Sequence, residues 1–123
     1  GAKRVIELEV SGGFHSPLMF EASGKLKSVL DDVQMMAPKA AVISNYTAAP
    51  EIKPADIRQN LVYQLYSTVK WEDSMRFMLA QGVTLFYEFG PGRVLRGLLR
   101  KIEPNARVIS IEKKEDILGL GNG

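Results

Sequence analysis

The chain opens with an alternation. In Arg4-Val5-Ile6-Glu7-Leu8-Glu9-Val10, the apolar Ile6, Leu8 and Val10 alternate with Val5, Glu7 and Glu9, and a period of two is that of a strand with one wet face. Such a strand suits an antiparallel sheet. The later apolar runs are of another kind: residues 83–89 are nearly continuously apolar, and residues 106–111 read as a second buried strand, the pattern of strands covered on both faces. Residues 41–47 read as a further short strand. Between these runs the spacing becomes helical. One helix is predicted from Pro17 to about Gln34, with Leu18, Ala22, Leu26, Val29, Leu30 and Val33 on one face. Others are predicted at about 56–65, at 71–81 with Trp71, Met75, Met78 and Leu79 on one side, and at 93–102.

The punctuation fits these elements. Ser16-Pro17 is a helix start in which the serine is expected to cap free N–H groups and the proline to occupy the first helical position. Residues 48–54 form a proline-bounded loop, Gly82 closes a helix, and Gly90-Pro91-Gly92 is a tight turn. The end, Leu118-Gly119-Leu120-Gly121-Asn122-Gly123, reads as a frayed tail. Alternating buried strands and helices predict an α/β fold with a largely parallel sheet of three or four strands. The half-wet first strand does not fit that sheet. It looks like part of another one, with the chain crossing between subdomains at Gly12-Gly13.

Composition narrows the chemistry. With 123 residues, 46% hydrophobic and 24% charged, one modest core can be buried and a single soluble domain is expected. No apolar run approaches the roughly 20 residues of a spanning helix, so no membrane partner and a cytoplasmic location are expected. There is no cysteine and one histidine. Disulfides, thiolate zinc sites and cysteine nucleophiles are therefore excluded, as is a histidine-rich metal site. The net charge of +2 is too small to suggest nucleic acid, but residues 93–114 are locally basic, with Arg93, Arg96, Arg100, Lys101, Arg107, Lys113 and Lys114 against Glu103 and Glu112. That stretch is either a solvated face or a surface for an anionic partner such as a coenzyme phosphate or an acidic protein.

Chemistry thus centres on His15, placed between a glycine pair and a capped helix, where α/β enzymes often carry reactive groups. A histidine side chain can take a proton from a hydroxyl and return it to a leaving group near neutral pH. The plainer alternative is a loop histidine bonded to backbone. No serine lies in a G-x-S-x-G elbow, so a nucleophile is lacking. Gly90-Pro91-Gly92 could aim backbone N–H groups at a phosphate or could simply be a turn.

Three ordered blocks then resemble one family. Ser11-Gly12-Gly13-Phe14-His15-Ser16-Pro17-Leu18-Met19 resembles the signature around the catalytic histidine of the malonyl-CoA:acyl carrier protein transacylases, departing at Gly13, where alanine is usual. Gln64-Leu65-Tyr66-Ser67-Thr68-Val69-Lys70-Trp71 resembles a Q-L-x-x-P-V-x-W stretch, with Thr68 for proline. Gly82-Val83 and Tyr87-Glu88-Phe89-Gly90-Pro91-Gly92-Arg93-Val94-Leu95 resemble the later G-V and E-x-G-P-G-x-V-L block.

The resemblance implies that residues 1–10 are the last strand of a small ferredoxin-like subdomain. Residues 11–123 would be the C-terminal part of the large α/β-hydrolase-like acyltransferase body. It implies ping-pong transfer of malonyl from coenzyme A to the phosphopantetheine thiol of acyl carrier protein. The serine nucleophile, and the arginine that pairs with the malonyl carboxylate, would lie in an N-terminal part outside this chain. His15 would be general base and acid, the backbone carbonyl of Gln64 would orient its ring, and Gly13 and Phe14 would line the substrate. Members with phenylalanine at the Phe14 position generally favour malonyl, whereas those specific for methylmalonyl tend to carry serine. No metal and no cofactor enters this reading. A competing reading is a non-catalytic fragment serving as a carrier-protein docking or scaffolding module.

Overall fold

The computed structural model describes residues 12–120. The strand and ferredoxin-like subdomain expected over residues 1–10 lie outside the described residues. The chain forms two compact units, residues 1–70 and 71–123.

In the first unit, a 3-10 turn at Pro17–Met19 leads into helix α1, Phe20–Asp32. Two short strands follow, β1 at Val42–Ile43 and β2 at Pro50–Glu51, paired antiparallel. Helix α2, Pro54–Tyr66, closes the unit and packs against α1. The strand expected over 41–47 is thus reduced to two residues, and its partner falls in a stretch expected to be loop. The reason is the turn between them. Ser44 N–H bonds the Ala49 carbonyl, and its hydroxyl accepts from Tyr46 and Thr47 N–H at 3.2 and 3.4 Å, so the ladder ends where side-chain bonding takes over.

The predicted apolar face of α1 is only partly covered. Leu18, Val29 and Val33 are exposed, while Ala22, Leu26 and Leu30 are half-buried and Ser23 is the buried residue of the helix. Among the described residues α1 packs chiefly against α2 and the 3-10 turn, and one neighbouring helix cannot cover a stripe that wide.

In the second unit, helix α3, Trp71–Ala80, precedes strand β3, Leu85–Phe89, helix α4, Val94–Ile102, strand β4, Arg107–Ile111, and helix α5, Lys114–Leu120. Strands β3 and β4 pair in parallel, from Leu85 opposite Arg107 to Phe89 opposite Ile111, with α4 as the crossover. The α/β class holds, among the described residues in a parallel pair and an antiparallel pair rather than one sheet of three or four strands. Apolar burial in this unit falls on Met75, Leu99 and Ile111. Strand β3 is not the continuously buried strand its sequence predicts, since Tyr87 and Phe89 are 46% and 71% exposed while Glu88 is buried.

The expected frayed tail is also corrected as far as residue 120. Asp116, in the first turn of α5, accepts the N–H groups of Glu112 and Lys113 at 2.9 and 3.0 Å. A first-turn carboxylate reaching back in this way starts a helix. Those two amides, Glu112 first, hold the Asp116 carboxyl below its usual range. Desolvation opposes them and the Lys113 charge assists.

Candidate active site

The first unit brings His15 and Gln64 together. Helix α2 ends at Tyr66, so the carbonyls of its last turn have no partner further along the helix. Two of them are taken by one residue: His15 N–H donates to the Leu65 carbonyl at 3.1 Å, and His15 Nδ1 lies 2.9 Å from the Gln64 carbonyl. A carbonyl only accepts, so this bond requires the proton on Nδ1 and leaves the Nε2 lone pair of the neutral ring free. A base whose other ring nitrogen is held by an acceptor is the arrangement that orients histidine in acyl-transfer catalysis. The Leu65 carbonyl has no sequence signal of its own and emerges only from the helix end.

His15 has φ 59°, in the left-handed region that residues with a β-carbon rarely occupy, a conformation costing about 1–3 kcal/mol. It is offset by contacts on both sides. Phe20, which opens α1, meets Tyr66 edge to face with ring centroids 5.2 Å apart; Tyr66 meets Tyr63 at 6.1 Å, and Tyr63 meets Tyr46 at 5.3 Å. Such pairs contribute about 0.5–1.5 kcal/mol each, and they fix the start of α1 against the end of α2, the two elements that flank His15. Desolvation pushes the Tyr66 hydroxyl above its ordinary value, with Tyr63 and Tyr46 adding to the effect.

Ser16 departs from the expected cap. Its hydroxyl makes no bond to the helix it precedes and instead donates to the Gly13 carbonyl at 2.5 Å. Gly13 itself is tightly enclosed. A β-carbon there would sit 2.9 Å from Leu18 Cδ1 and 3.1 Å from Ser16 Oγ. Leu18 Cδ1 can swing aside, but Leu18 Cβ at 3.2 Å is fixed to the backbone and Ser16 Oγ is held by its bond. Phe14 is 57% exposed among the described residues, and its ring lies over Gly12, whose added β-carbon would come within 3.3 Å of it.

The second glycine-rich turn is built differently. Gly90 and Gly92 take φ 126° and 86°, and Gly90 N–H bonds the Ile111 carbonyl. The amides that open α4 do not face an empty cradle. Glu88, buried in β3, accepts Leu95 N–H at 2.9 Å and Arg96 N–H at 3.4 Å, and Ser110 Oγ donates to it at 3.2 Å. The protein's own carboxylate fills the position considered for a phosphate, which corrects that reading of Gly90-Pro91-Gly92. A glutamate two residues before a glycine turn in an otherwise apolar strand was the available signal.

Elsewhere in the second unit Arg93, Arg100, Lys101, Arg107, Lys113 and Lys114 are exposed and Arg96 is half-buried. In the first unit a groove of about 340 Å³ between α1 and α2 is lined by Lys27, Asp31, Arg58 and Val62, among others, and includes neither His15 nor Gln64. Among the described residues no three His, Cys, Asp or Glu side chains gather as metal ligands, and no helix is long and apolar enough to cross a membrane.

No family model matches the chain, but individual relatives do. Over 117 residues it is 47% identical to the malonyl CoA-acyl carrier protein transacylase of Bacillus subtilis (strain 168), a match covering 95% of this chain and 37% of the relative. The crystal structure of an acyl-carrier-protein S-malonyltransferase from Burkholderia pseudomallei 1710b superposes with a TM-score of 0.87 at 38% identity, covering 98% of this chain and 39% of that one. A malonyl-transacylase solved in complex with a type II PKS acyl-carrier protein gives a TM-score of 0.89 at 36% identity, over 100% of this chain and 40% of that one. The chain therefore spans about two fifths of the length of the relatives it matches.

Proposed function

The chain belongs, as a segment, to the malonyl CoA-acyl carrier protein transacylase family, and on that premise we propose that it carries the acid/base half of a malonyl-transfer site. His15 is the base, oriented through Nδ1 by the Gln64 carbonyl. The reaction is a ping-pong exchange. His15 Nε2 takes the proton of a serine hydroxyl as the serine oxygen attacks the malonyl thioester carbonyl, and then gives that proton to the departing coenzyme A sulfur. In the second half Nε2 takes the proton of the phosphopantetheine thiol of acyl carrier protein, and the thiol sulfur displaces the serine oxygen, which recovers a proton from Nε2. Phe14 and Gly13 border the acyl group. The serine comes from a part of the family's sequence that these 123 residues do not contain, since none of their serines lies in a G-x-S-x-G elbow. Malonyl-CoA, acyl carrier protein and the serine-bearing part are thus the partners of this segment.

The observation that supports this reading most strongly is the 2.9 Å approach of His15 Nδ1 to a helix-terminal carbonyl, which leaves Nε2 as the free base. Two assays test it together. The isolated chain should transfer no radiolabelled malonyl to acyl carrier protein. A chimera in which the chain replaces the matching 117 residues of the Bacillus subtilis relative should transfer it. Transfer by the isolated chain, or a folded chimera without activity, overturns the assignment.

A further inference from the structure

Three groups hold the left-handed His15 in place, and only one of them belongs to the loop itself. The Leu65 and Gln64 carbonyls tie His15 to α2. The Ser16 hydroxyl instead reaches back across Phe14 and His15 to the Gly13 carbonyl at 2.5 Å, closing the loop on both sides of the histidine. Ser16 is extended, at φ −137° and ψ 164°, as a residue before proline must be. Its carbonyl accepts Met19 N–H at 3.0 Å, so the 3-10 turn anchors its backbone while its hydroxyl anchors Gly13. Neither bond serves α1, whose first residue lies beyond the turn. A serine in this position would ordinarily be assigned to capping. Here the hydroxyl is turned the other way.

We propose that Ser16 is a positioning residue for His15: its hydroxyl latches the loop, keeps the histidine in its left-handed conformation and so holds Nδ1 on the Gln64 carbonyl with Nε2 free. Without the latch, the loop can relax toward the more populated region of backbone space. The ring then loses its fixed acceptor, and the neutral imidazole distributes its proton over both nitrogens. The functional importance of the inference rests on His15 being the acid/base. Its test reads the ring without any turnover, so failure of the assigned reaction and failure of the latch are told apart.

His15 is the sole histidine of the chain, which makes its ring nitrogens unambiguous in a histidine-labelled ¹⁵N spectrum of the full 123-residue protein. With the ring neutral, the native chain should show Nδ1–H as the dominant tautomer. Ser16→Ala should move the Nδ1–H to Nε2–H ratio by roughly fivefold toward Nε2–H, the scale of one lost hydrogen bond. Ser16→Thr, which keeps a hydroxyl, should restore the native ratio. The proposal is overturned if Ser16→Ala retains the native ratio, if Ser16→Thr is as perturbed as Ser16→Ala, or if the native ring is already mixed. Loss of amide dispersion in both variants also overturns it, because the hydroxyl would then be a determinant of folding rather than a latch on one side chain.

Discussion

The two glycine-rich turns resemble one another in sequence and differ in what they leave free. In Gly90-Pro91-Gly92 the amides that open α4 are taken by Glu88, and Ser110 completes the carboxylate's shell. The turn is satisfied from within. In Gly12-Gly13-Phe14-His15 the backbone is tied down by the Leu65 carbonyl and the Ser16 hydroxyl, while the Gln64 carbonyl takes one nitrogen of the His15 ring and the other has no partner among the described residues. On the proposed reading, the first turn serves as a site because its bonding stops short of one ring nitrogen, whereas in the second the bonding runs to completion.

The largest effect that would sharpen this contrast lies in the first turn. On the proposed reading Phe14 borders the acyl group, so Phe14→Ser in the chimera should narrow the kcat/KM ratio of malonyl-CoA over methylmalonyl-CoA by roughly 10- to 200-fold, the usual scale for one methyl-sized group. Because Phe14 is exposed, folding should be little changed. An unchanged ratio in a folded variant would move selectivity out of this loop. In the second turn, Glu88→Ala should leave the N–H groups of Leu95 and Arg96 without their carboxylate. It should cost about 1–2 kcal/mol, the scale of a lost helix cap, read as a lower urea midpoint with slowed exchange lost first in α4. A neutral result would mean that the carboxylate is replaceable by water and the turn is open after all.

The smallest effect concerns the other self-satisfied helix start, at α5. The folded-state pKa of Asp116 is depressed by the amides of Glu112 and Lys113. Its contribution is therefore present above the ordinary carboxylate pKa and lost as pH falls through the depressed folded value. Amide exchange in α5, corrected for the intrinsic pH dependence, should accelerate as pH falls below the ordinary carboxylate range, and Asp116→Asn should remove that dependence.

Much of this was legible from residue order. Periodicity, Gly and Pro predict helices at about 56–65, 71–81 and 93–102 and strands at 83–89 and 106–111, and the structure has them at 54–66, 71–80, 94–102, 85–89 and 107–111. The histidine block pointed to its own chemistry. Burial was not legible, because it depends on neighbours brought from elsewhere. Strand β3 buries its one carboxylate against the amides that open α4 and, among the described residues, exposes Tyr87 and Phe89. Strand β2 is two residues long, too short for any period to register. The direction of the Ser16 hydroxyl was hidden for a similar reason. Sequence supplies a serine before a proline, but whether it bonds forward to the helix or back to Gly13 is decided by the left-handed turn at His15. Helix α5 was obscured by Gly119, Gly121 and Gly123, which argue for a tail unless the backward reach of Asp116 is known.

The central claim is that the His15 ring supplies the proton transfer of malonyl exchange, and the most direct measurement is the rate of that exchange in the Bacillus subtilis chimera with and without the ring. His15→Ala should lower kcat/KM for transfer from malonyl-CoA to acyl carrier protein by roughly 10²-fold or more, the scale of losing a positioned acid/base, while the variant remains folded. A folded His15→Ala chimera that keeps its rate within about threefold, far short of the loss expected of a general base, would contradict the claim and leave His15 as a histidine bonded to backbone.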